Sequence, residues 1–104
     1  MLNIPETVKI GWRNYKIIQG EHRSGDGGGD LMGQISYYDR EIYLYEKLEA
    51  EQKNATLLHE VTHGILFNMG SELRSDELFV TAFTENLYQV MLDNPEMFKF
   101  KKKK

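Results

Sequence analysis

The period of the apolar positions changes once along this chain. From Val8 to Ile18 it is close to two: Val8, Ile10 and Trp12 alternate with Lys9 and Gly11, and Tyr15, Ile17 and Ile18 follow Arg13-Asn14. That pattern predicts two short strands around a turn. Leu31 to Tyr45 repeats the theme as a hairpin. Gln34-Ile35-Ser36-Tyr37 and Glu41-Ile42-Tyr43-Leu44-Tyr45 are β-branched and aromatic, and Asp39-Arg40 between them suits a tight turn. Between the two strand pairs, the stretch from Ser24 to Asp30 carries Gly25, Gly27, Gly28 and Gly29 and reads as a flexible loop. No Gly-Lys-Ser/Thr follows it, so it is not a phosphate-binding loop.

Beyond Glu49 the spacing becomes helical. Leu57, Leu58, Val61, Ile65 and Met69 predict a helix from Glu49 to about Met69, with Gly70 as its C-cap. Ser75 can cap a second helix running to about Leu92. Its expected buried stripe is Leu78, Phe79, Ala82, Phe83, Leu87, Val90 and Met91, and Asn94-Pro95 ends it. No internal repeat and no linker interrupts the chain.

A length of 104 residues bounds this to one domain, expected over 1–98, with 99–104 as a basic, disordered tail. The tail carries five of the 13 basic residues, so the remaining eight face 16 acids and leave the body near −8. An acidic body argues against a nucleic-acid-binding surface. No apolar run approaches the roughly 20 residues that span a bilayer. The polar start of the chain, broken by Pro5, does not read as a signal peptide, and a cytoplasmic location is the resulting expectation. With no cysteine there is no thiolate chemistry, so any metal must be held by nitrogen and oxygen.

Candidate chemistry sits on the first helix, in His59-Glu60-Val61-Thr62-His63. Histidines four apart lie one turn above each other on the same face. Their ring nitrogens can converge on one tetrahedral zinc ion, about 2.0–2.1 Å from each. Glu60, one residue on, can reach a water there without being a ligand and act as general base. A pattern with two of the three histidines and one of 11 glutamates arises by chance in about one such sequence in a hundred. The bland reading, two ordinary helix histidines beside an acid, is correspondingly weaker. A catalytic zinc needs a third protein ligand. The second helix offers a polar stripe of Glu77, Thr81, Glu85 and Tyr88. A simple antiparallel hairpin favours Glu85, because the chain climbs about 10 Å from His63 to Gly70 and must descend as far. A tilted crossing or a descending loop favours Glu77, and spacing leaves both open.

Leu57 to Leu66, then Ser75-Asp76-Glu77-Leu78-Phe79-Val80, Tyr88-Gln89-Val90 and Asp93-Asn94-Pro95 together resemble a family of small metallopeptidase-like proteins of phages and prophages. Gly33 to Tyr37 and Ile42-Tyr43-Leu44 share the resemblance, which covers most of residues 8–95. In outline it is similar to minimal gluzincins and to the ImmA/IrrE peptidases. The resemblance implies an α+β fold, with a small twisted antiparallel sheet packed on the HExxH helix and a second helix following. It also implies that Glu77 completes the site. Glu85 departs from the pattern, where a small residue or asparagine is expected, and stays an alternative.

The resemblance also implies that an edge strand of the sheet, for which residues 31–37 are the candidate, can pair with an extended peptide substrate. Tyr37, Tyr38, Tyr43 and His22 are candidate hydrogen-bond donors to the oxyanion, although tyrosines in strands mostly pack and a loop histidine is mostly solvated. The expected function is zinc-dependent hydrolysis of a peptide bond in an intracellular protein or peptide, with a phage regulator as substrate class by analogy. The alternative is a non-catalytic zinc-binding interaction module.

Overall fold

The computed structural model describes residues 3–24 and 30–100. Among these, six strands precede two helices. They are β1 (Thr7–Ile10), β2 (Arg13–Gly20), β3 (Arg23–Ser24), β4 (Asp30–Leu31), β5 (Gly33–Ser36), β6 (Glu41–Tyr45), α1 (Ala50–Asn68) and α2 (Glu77–Asp93). Short 3-10 turns occupy Glu72–Ser75 between the helices and Pro95–Phe98 after them. Of the glycine-rich loop expected at 24–30, residues 25–29 lie outside the described residues, as does the tail from 101 on. The positions flanking that loop pair as the β3–β4 ladder, a feature the glycines hid. None of the helices is long and apolar enough to cross a membrane, among the described residues.

The fold is α+β, but its sheet is mixed rather than wholly antiparallel. Strand order is β1-β2-β6-β5. β1–β2 and β5–β6 are antiparallel hairpins, with Val8 opposite Tyr15 and Ile35 opposite Ile42. They join through a parallel pair, β2–β6, with Ile17 opposite Ile42. A parallel pair needs a crossover, and residues 21–40, which include β3, β4 and β5, supply it. The hairpin turns differ in their chemistry. Gly11, at φ +62°, turns β1 into β2, two residues earlier than the Arg13-Asn14 turn expected from sequence. Arg40 adopts φ +55° in the β5–β6 turn, where the Ser36 hydroxyl meets Asp39.

β6 is the central strand, and Ile42, Tyr43 and Leu44 are all buried in succession because both of its faces are covered. On one face Ile42 and Leu44 join Ile10, Tyr15 and Leu57 of α1, with Val61 and Ile35 packed around them. On the other, Tyr43 lies under the Arg23 guanidinium and its hydroxyl donates to the Glu21 carbonyl. α1 settles closely on this sheet because two glycines permit it. A methyl at Gly64 would meet Ile10 Cδ1 at 2.7 Å, and one at Gly33 would meet Thr56 Cγ2 at 2.5 Å.

The predicted apolar stripes are only partly buried. On α1, Leu57 is buried and Val61 and Leu58 half-buried, while Ile65 and Met69 face outward. On α2 the departure is larger. Only Val80 and Thr84 are buried, Leu87 and Met91 are half-buried, and Leu78, Phe79, Ala82, Phe83 and Val90 are exposed. α2 packs mainly on α1 and the 3-10 turns. Its inward side carries the polar residues of a cleft, so the Phe79–Phe83 side turns to solvent.

Candidate metal centre

α1 positions three of the predicted residues by its own periodicity. His59 and His63 stand one turn apart with their Nε2 atoms 3.2 Å from each other. Glu60, next in sequence, is turned toward the sheet and is buried. One of its carboxylate oxygens lies 3.2 Å from where a Cβ on Gly33 would sit, so the acid lies against the edge strand β5.

The descent from α1 to α2 decides the third residue. Gly70, at φ +72°, ends α1: its N–H donates to Phe67 and that of Ser71 to Leu66, the paired bonds of a Schellman cap. Ser71 then accepts from Leu73 N–H and opens the 3-10 turn. By residue 74 the chain has returned to the level of His63, whose Nδ1 donates to the Arg74 carbonyl at 2.7 Å. The cap of α2 is Asp76, which accepts from Phe79 N–H at 3.0 Å, rather than the expected Ser75, which ends the 3-10 turn. Glu77 therefore opens α2 beside the histidines. Its Oε1 is 2.8 Å from His63 Nε2 and its Oε2 is 3.1 Å from His59 Nε2. Glu85 lines the same cleft two turns on but lies outside this group.

His59, His63 and Glu77 thus offer ligand atoms all within 4.8 Å of one another. A tetrahedral zinc with bonds of about 2.0–2.1 Å spaces neighbouring donors about 3.3–3.4 Å apart, and the observed 2.8, 3.1 and 3.2 Å approach that. The hydrogen bonding makes the same demand. A carbonyl only accepts, so His63 Nδ1 carries a proton, and in neutral imidazole Nε2 is then a lone pair. That lone pair faces a carboxylate oxygen at 2.8 Å. Two acceptors so close require a positive charge between them, a proton or a metal ion. Burial pushes His59 below the ordinary histidine range, against the opposing pull of Glu77, which keeps it in the neutral form that ligates metals. The Arg74 carbonyl is the orienting partner typical of a metal-bound histidine. No sequence signal could have marked it, because every residue carries a carbonyl.

The centre opens on a cleft of about 810 Å³ between β5, α1 and α2. Of the four candidate oxyanion donors only Tyr37 lines it together with the histidines. Its ring stacks on Phe67, with centroids 4.1 Å apart. Burial, then the charge of Glu60, pushes the Tyr37 hydroxyl above the usual tyrosine range, so it stays a donor at neutral pH. Tyr38 is almost fully exposed, Tyr43 is engaged on the far face of the sheet, and His22 stacks on Tyr45.

Burial, reinforced by the negative charge of Glu77, pushes Glu60 up to about 8. This sets a pH dependence in the metal-free protein. Unfolded, Glu60 releases its proton near 4.5; folded, it holds it to about 8. The native state binds more protons across that window, so stability falls as pH rises through it. The metal-free chain is expected to lose on the order of a few kcal/mol between about pH 5 and pH 8. Denaturation of the chelated protein measures this, and Glu60→Gln should flatten the slope. An unchanged slope in that variant would remove Glu60 as its source.

Comparison with protein-family models, with curated proteins and with solved structures yields no match to this chain.

Proposed function

We propose that this chain is a zinc-dependent metallopeptidase that hydrolyses a peptide bond in an intracellular protein or peptide. One observation carries the reading. A buried carboxyl, Glu60, lies between the three-donor group and the edge strand of the sheet, at the wall of an open cleft. Zinc held by His59, His63 and Glu77 would polarise the scissile carbonyl and acidify a water molecule.

The remaining steps fall to the chain's own side chains. β5 is an edge strand, and an extended peptide can add to it through main-chain hydrogen bonds. Glu60 takes the proton of the attacking water and passes it to the leaving nitrogen. An apolar surround suits that shuttle, since it raises the proton affinity of the carboxyl toward the working pH. Tyr37 donates its hydroxyl to the oxygen on which negative charge develops. The resemblance to small phage and prophage peptidases supports the same chemistry and directs the substrate search to regulatory proteins.

A non-catalytic zinc module is the competing reading. Structural zinc sites close with four protein ligands, whereas this group offers three among the described residues and faces an open cleft. The test is direct. Protein purified without chelators should hold close to one zinc per chain, cleave members of a peptide library read by mass spectrometry, and lose both on chelation. Zinc without cleavage would favour the module, and neither would end both readings.

A further inference from the structure

Four arginines occur in the sequence; Arg74 lines the cleft, and Arg13 and Arg40 connect to it through a run of aromatic rings. Arg13 and Arg40 lie over the ring of Trp12, at 4.2 and 4.9 Å from its centroid. Arg13 and Arg74 both approach Phe67, at 5.5 and 6.0 Å. Phe67 in turn stacks on Tyr37, and Tyr37 and Arg74 line the cleft. Among the described residues no carboxylate pairs with any of the three. Only neutral acceptors do: Asn68 Oδ1 for Arg13 at 3.0 Å and the Ser71 carbonyl for Arg74 at 2.9 Å.

We propose that this arginine–aromatic cluster is a substrate subsite that binds a carboxylate of the peptide, either an Asp or Glu side chain or the chain's C terminus. The inference rests on the peptidase reading of the cleft and adds its specificity. Stacked guanidiniums lose little freedom on binding and match a carboxylate with two parallel N–H bonds. In a body of net charge near −8, three unpaired cations at one place form a local exception to the surrounding field. That field opposes a long polyanion such as nucleic acid and leaves room for a single anionic group. Among the described residues, the rest of the cleft lining, which includes Glu85, Tyr88, Gln52 and Gln89, adds no further cation. The cleft is therefore polar along its length and gives a bound peptide a direction. Gly33 lies against Glu60 and Tyr37 follows four residues later, so the anionic group should sit within about four residues of the scissile bond.

Peptide binding tests this without requiring turnover. Full-length protein carrying Glu60→Gln is titrated into a fluorescein-labelled Thr-Val octapeptide in which one Asp is moved through each position. Asn at the same positions and a free or amidated C terminus serve as comparisons, with anisotropy as readout. At one position, or for the free C terminus, the carboxylate form should bind about tenfold tighter than its amide. Arg74→Gln should bring that ratio close to one. The paired Arg13→Gln, Arg40→Gln variant, which leaves the cleft wall intact, should lower it with zinc content unchanged. An advantage confined to the free C terminus assigns the carboxylate to the chain end, and an advantage for an internal Asp assigns it to a side chain. A ratio near one throughout, a ratio that survives both variants, or no binding of any peptide overturns the proposal. Failure of hydrolysis alone would end the peptidase reading and leave this binding result standing.

Discussion

Glu60→Gln is expected to keep zinc bound near one per chain and to lower peptide hydrolysis by about a hundredfold to ten-thousandfold, the usual contribution of a positioned general base. The two halves of this outcome have separate structural grounds. Metal retention follows because Glu60 is not one of the converging donors; its side chain is directed to Gly33 of β5 instead. The loss of rate follows because Gln fills the same buried volume but cannot accept a proton. The fold should survive, since the neutral amide has nearly the same shape and lacks the burial penalty that weighs on the carboxylate in the metal-free chain. Zinc content and turnover are measured on the same preparation. Loss of zinc would make Glu60 a ligand, and retained turnover would move the base elsewhere.

The second large effect separates the two glutamates of α2. Glu77→Ala should weaken zinc binding by more than about a hundredfold, beyond what outer-shell changes cost, while Glu85→Ala should stay within about threefold of the parent. Glu77 reaches both histidines with different oxygens, at 2.8 and 3.1 Å. Glu85 lies two turns away along the cleft wall. Glu77 is also in the first turn of α2, where its charge favours the helix. Glu77→Gln is therefore measured alongside, to separate lost ligation from lost helix. A competitive zinc titration decides the assignment, and parent-like affinity in Glu77→Ala with a large loss in Glu85→Ala would reverse it.

What sequence could supply here was mostly local. The α1 boundaries, its glycine cap, the β5–β6 hairpin and the pairing of His59 with His63 follow from short-range periodicity and cap chemistry. What depended on the path between elements was harder to read. The parallel β2–β6 pair arises from a crossover through the glycine-rich region, which has no strand-like pattern. Rise arithmetic for a simple hairpin pointed to Glu85; the descending 3-10 turn at Glu72–Ser75 reverses it, as the bond from His63 to Arg74 makes plain. The Ser71 and Asp76 caps that shape this turn were legible one by one, but their joint effect on height was not. The α2 stripe was misjudged for a different reason. Apolar spacing finds an amphipathic helix but not which side its neighbour occupies, and here the neighbour takes the side with Val80 and Thr84.

That shallow seating of α2 has a consequence for how the cleft comes to exist. One wall, α1 with β5, packs with the core of the domain, whereas the other has two buried side chains, Val80 and Thr84, and a short turn to hold it. Zinc would grip the first wall by His59 and His63 and the second by Glu77, so its binding energy would fall on the joint between them. Without the ion, α2 is expected to be the less stable of the two walls and to open locally before the sheet unfolds. A bound ion would then serve as a hinge pin as well as a reagent.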